Sequence, residues 1–222
     1  MDSGTERAGM LSGAAFAILL FVGINLMLGS EPNTSSKDSA ATIANKWVAV
    51  LQSSSHRSKI LVGAFLVMFA ALALIWFANT LRNRYALTGT PIMAFATLAA
   101  IGVAASVVGP LVLVGGHTFG NEALPTDGNV LWAVGNMTMP LLLVVYGFGL
   151  AAMLATFAFA ARAALPRWLL VFTWIVAVAS LASVEFFPML LALVYLLVVG
   201  IWGGVRQTAA PRVASTTAPA AA

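Results

Sequence analysis

The chain has 222 residues, 61% of them hydrophobic and 8% charged, with a net charge of +4. A soluble domain holds about 25% charged residues, so this chain could not cover its apolar surface in water, and lipid is the expected solvent. The small basic excess forms no dense stripe, which argues against a nucleic-acid partner. The absence of cysteine excludes disulfides and thiolate chemistry.

The first nine residues, MDSGTERAG, mix two acids with one Arg. The apolar run after them, Met10–Leu28, is followed by GSEPN, which has no small-x-small cleavage pattern. A retained first membrane helix is expected there. Next comes the most polar long stretch, Ser35–Lys59. Within it Ile43, Trp47, Val50 and Leu51 recur at i, i+4, i+7 and i+8, one face of a helix over about 39–52, with Asp38 or Ser39 as its N-cap. It is too short and too polar to span. One placement lays it on the outer surface with Trp47 at the headgroups; the other packs it as a loop helix against the outer ends of the bundle.

Five further apolar runs follow: Ile60–Leu81, Pro91–Gly115, Met137–Ala161, Trp168–Val184 and Met189–Trp202. The first three have the length of a span, about 17–25 residues. The last two are short and separated only by Glu185-Phe186-Phe187-Pro188. Fused, they would be far too long for a bilayer, so a hairpin is expected, with Pro188 in the first turn of its second helix. Five spans and a re-entrant piece are the alternative. The predicted fold is all-α: a polytopic transmembrane bundle of about six spans with one short outer amphipathic helix. It forms a single domain over 1–206, followed by an Ala/Thr/Pro-rich tail, 207–222, read as disordered and cytoplasmic. Pro110 and Pro140 should bend or break their helices. Small residues, Gly63 and Ala71, Gly102 and Ser106, and Gly147, Ala151 and Ala155, should let helices approach closely within the bundle.

Six spans place both termini on one side, together with Arg7, Arg82, Arg84, Arg162, Arg167, Arg206 and Arg212. The other side has Lys37, Lys46, Arg57 and Lys59 and five of the seven acids. By the positive-inside rule the termini are cytoplasmic, although the bases just after the first helix pull the other way.

No charged residue lies mid-span, which counts against a proton relay, a voltage sensor or an ion-coupled pump. His117, Glu122 and Asp127 share a loop, but their spacing matches no strong metal pattern. No nucleophile elbow or phosphate-binding loop occurs. The sequence therefore carries no catalytic constellation, metal site or cofactor site. One polar set remains: Asn25, Asn136, Thr138, Ser180, Ser183 and Glu185 fall in the outer half or at the outer rim, where they could line a shallow cavity for a small amphiphile.

The order of features carries a resemblance. It runs from an N-terminal span through D-S-A-A-T-I-A (Asp38–Ala44), H-R-S-K-I-L-V-G-A-F-L entering the second span and L-R-N-R leaving it, to A-L-P-R-W-L (Ala164–Leu169) before a closing helix pair. Over about residues 10–204 this resembles six-span actinobacterial membrane proteins similar to the DUF4386 family. The resemblance implies an all-helical fold and a multi-pass plasma-membrane location, and it supplies no catalytic residues. The function expected is non-enzymatic binding of a lipid, small amphiphile or partner protein. A small-molecule transporter or channel subunit with an outward polar entry site is the alternative.

Overall fold

A computed structural model describes residues 3–35, 37–119, 128–136, 140, 142–182 and 186–205. Every regular element among them is helical: α1 (Ser3–Leu28), α2 (Ala40–Gln52), α3 (Ser54–Arg84), α4 (Ile92–Ala105), α5 (Val108–Phe119), α6 (Gly128–Asn136), a π-helical turn (Leu142–Tyr146), α7 (Gly147–Ala160), α8 (Arg167–Leu181) and α9 (Phe186–Val205). The all-α bundle is as the composition predicts. Five helical runs are long and apolar enough to cross a membrane: α1, α3, α4 continued into α5, the π-turn continued into α7, and α9.

The remaining expected span is α8. Its 15 residues rise about 22 Å, against a hydrocarbon core of about 30 Å. It runs antiparallel to α9. Trp168 at its start meets Trp202 near the end of α9 at 5.8 Å between ring centroids, and Phe172 and Thr173 meet Tyr195 further in. Pro188 falls in the first turn of α9, where a missing N–H breaks no helical bond.

The spine is α1, flanked by α3 and α9. Because lipid removes the hydrophobic drive between helices, close contact depends on small residues. Gly23 and Gly63 supply it: a Cβ on Gly63 would come within 2.7 Å of the Gly23 carbonyl oxygen, and one on Gly23 within 2.8 Å of the Gly63 carbonyl oxygen. Gly200 meets the Ala14 backbone, joining α9 to α1, and Gly149 meets Ala99, joining α7 to α4. The described bundle interior is mostly apolar, built from residues such as Phe16, Leu20, Leu74, Phe77, Leu150 and Leu196, with a few buried hydroxyls such as Thr80, Thr173 and Ser180.

Pro110 marks an interruption. Pro110 cannot donate to the carbonyl four residues back, and the helix breaks into α4 and α5 at Ser106–Val107. A π-turn, Leu142–Tyr146, begins two positions after Pro140 in the sequence. Within the expected run Met137–Ala161 the π-turn and α7 cover Leu142–Ala160, and α6 precedes them.

Candidate functional site

The polar cavity expected from the sequence is not assembled by its described members. Asn25 is exposed on α1, and its side-chain amide donates to the Phe21 carbonyl at 2.8 Å. Ser180 is buried on α8, and its hydroxyl donates to the Val176 carbonyl at 2.8 Å. Each bonds its own helix, the economical way to satisfy a polar side chain in lipid. Asn136 ends α6, and nothing is described of its side chain; Thr138, Ser183 and Glu185 lie outside the described residues. His117 lies in α5, while Glu122 and Asp127 are likewise outside. Among the described residues no group of three His, Asp or Glu side chains could hold a metal.

Helix α2 forms as its periodicity predicts, and Ser39 rather than Asp38 is the N-cap. The Thr42 N–H donates to Ser39 Oγ at 3.2 Å. Asp38 instead pairs with Lys46 at 2.7 Å, and that hydrogen bond holds its carboxyl below the usual range. The placement of Trp47 at the headgroups is corrected. Trp47 is only 2% exposed, and it clusters with Ala44, Val50 and Leu51 against Ile60 of α3, Leu113 and Val114 of α5 and Leu131 of α6; Ile43 packs at the edge. Once α5 and α6 supply an apolar surface, that face is covered by protein and not by lipid. Helix α2 belongs to a small cap at the end of the bundle where α1 finishes and α3 begins.

Sequence reasoning missed Glu31. It lines a narrow crevice with Ile24, Met27 and Leu28 of α1, Ser106 and Pro110 at the α4–α5 break, and Leu142 of the π-turn. No base is among these residues, and burial pushes the Glu31 carboxyl above its ordinary value. The signal available in the sequence is a lone acid three residues beyond an apolar run, with an interrupted span elsewhere in the chain.

The larger spaces are open grooves on the outside of the bundle. A groove of about 350 Å³ runs between α1 and α9, walled by Ile18, Phe21, Val22, Leu190, Val194 and Leu197 among others. A second, of about 260 Å³, lies between α3 and α4. A third, of about 240 Å³, lies between α7 and α8, where Ala151, Ala152 and Ala155 leave room beside Trp174 and Val178. These walls are nearly wholly apolar, so they suit a hydrocarbon chain or another apolar helix and offer no catalytic group.

The helix ends gather charge unequally. Arg84 donates to the Gly203 carbonyl at 3.0 Å and stands 3.8 Å from Glu6. It thereby ties the end of α3 to the start of α1 and the end of α9. The described ends of the chain, α1's start and α9's finish, therefore lie at the same end of the bundle as Arg82 and Arg84. No family model, curated protein or solved structure matches this chain.

Proposed function

We propose that this chain is a multi-pass plasma-membrane protein, with its termini cytoplasmic, that works by binding and not by catalysis. Its ligand is a lipid or small amphiphile, or a partner protein, taken up against the bilayer-facing helices. The resemblance to the DUF4386 family belongs to the same reading. The observation that carries it is the α1–α9 groove, an apolar trough of about 350 Å³ open to the bilayer beside exposed Ile18 and Phe21. Native mass spectrometry of the protein released from mild detergent tests the reading. Discrete adducts at lipid or amphiphile masses, or a stable partner, are expected; a bare monomer at every detergent strength contradicts it.

A transporter or channel subunit is the second reading. The meeting of the α4–α5 break, the π-turn and partly buried Glu31 in one crevice favours it, because interrupted helices often line transport sites. Reconstituted vesicles showing substrate-specific flux would establish this reading in place of the first.

A further inference from the structure

Arg162 and Arg167 bracket the turn between α7 and α8, and both are exposed. The Arg162 guanidinium lies 5.2 Å from the centroid of the Phe159 ring, which is itself 64% exposed. Phe159 continues the stripe Phe148, Ala152 and Ala155 along α7 at helical spacing. Arg167 begins the stripe Val171, Trp174, Val178 and Leu181 along α8. Groove-lining residues of α7 and α8 belong to these stripes, so one arginine lies beyond the same end of each groove wall.

The depth also fits. From Arg167 to Trp174 the helix rises about 10 Å, and half a hydrocarbon core is about 15 Å. A phospholipid with its phosphate between the two arginines would lay an acyl chain past Phe159 and Val171. That chain would reach the groove at Ala155 and Trp174 within its own leaflet.

Charge selects the headgroup. Every base at this end of the described structure is Arg, whereas Lys37, Lys46 and Lys59 all lie toward the opposite end. The guanidinium fork matches phosphate geometry, which a Lys ammonium meets only as a point charge. The one acid described at this end, Glu6, faces Arg84 and not the α7–α8 turn. By the same helical spacing the α1–α9 groove has a single arginine at this end, Arg7, and the α3–α4 groove has Arg82, so the α7–α8 groove alone has two among the described residues.

We infer that the α7–α8 groove is a binding site for an anionic phospholipid, with Arg162 and Arg167 on its phosphate and an acyl chain against Ala151, Ala152 and Ala155. This rests on the lipid-binding reading above and names its site and lipid class.

The test is native mass spectrometry of the full chain titrated with phosphatidylglycerol or phosphatidylcholine of matched acyl chains. The wild type should retain phosphatidylglycerol preferentially. Replacing both arginines, Arg162→Gln with Arg167→Gln, should lower that retention on the order of tenfold and leave phosphatidylcholine nearly unchanged. Arg7→Gln with Arg82→Gln removes equal charge from the same end and should have a much smaller effect; it also controls for misfolding. Ala152→Leu, which fills the groove, should lower retention of both lipids.

Equal retention of the two lipids by the wild type overturns the inference but leaves lipid binding standing. Loss of every lipid from the wild type sinks both. An equal effect of the two double variants reduces the preference to general attraction and overturns the site. So does a dimer that excludes lipid and falls apart on Trp174→Ala.

Discussion

Glu31 gives up water without facing a base in its crevice, and burial raises its carboxyl above the ordinary 4.5. The raised value fixes a sign. The fold prefers the protonated form, so the favourable contribution is full below the unfolded value and is lost as pH rises through the folded one. Glu31→Gln, a neutral mimic, should therefore raise the melting temperature at about pH 8 and change it little at about pH 4. Thermal unfolding in one detergent at both pH values checks this; identical curves at both would place the carboxylate in water. The other polar residues within the helices behave differently. Ser12, Thr80, Ser106, Thr173 and Ser180 each donate to a carbonyl three or four residues back, and Thr173 also meets the Tyr195 hydroxyl at 2.7 Å. This is why Asn25 and Ser180, the two described members of the outer polar set, need no partner from a second helix: a polar side chain in lipid can be satisfied within its own turn. Polarity was legible at Asn25 and Ser180, but the direction each side chain takes was not.

At the scale of elements, hydrophobic periodicity located α2 to within a residue at each end, and the face Ile43, Trp47, Val50 and Leu51 is the one that packs. What covers that face could not be read from it, because an apolar stripe has the same spacing against lipid as against protein. The answer came from α5 and α6. Trp47 fills their junction, and its indole N–H has no hydrogen-bond partner among the described residues. Two substitutions separate volume from polarity. Trp47→Ala should destabilise the protein by about 3–5 kcal/mol through the cavity it leaves. Trp47→Phe should cost much less, since the donor it removes is unpaired. Thermal unfolding of the two variants measures the difference; equal losses would show that the indole N–H matters to the fold. The α4–α5 interruption was legible in position, since Pro110 is the breaker, but its meeting with the π-turn and Glu31 was not. That convergence depends on α1 ending beside the α4–α5 break, a contact between residues about 75 apart in the chain.

For the whole molecule, composition and run length were enough to predict an all-helical membrane bundle, because few other folds can hide every backbone polar group from lipid. Five runs reach the length of a span, α9 among them although Met189–Trp202 read as short; the fifth run in chain order, α8, is short and pairs antiparallel with α9. The packing order was not legible. Gly23 against Gly63 and Gly200 against Ala14 make α1 the centre, while the sequence offered many other small residues with equal claim. Ala151, which is buried, and Ala155, which packs against the core, are packing positions as read, and both also line the α7–α8 groove. Arg7, Arg82, Arg84, Arg162 and Arg167 gather at one end of the bundle, and the proposed cytoplasmic orientation rests on that asymmetry.

The chain contains no cysteine, so single introduced thiols report on it cleanly. Ser55→Cys lies at the start of α3 and Ala163→Cys in the α7–α8 turn, and both positions are exposed. Intact cells treated with a membrane-impermeant maleimide should label Ser55→Cys, whereas Ala163→Cys should label only after permeabilisation. The reverse pattern, or labelling of both from one side, would contradict a membrane-spanning bundle with its arginine end in the cytoplasm.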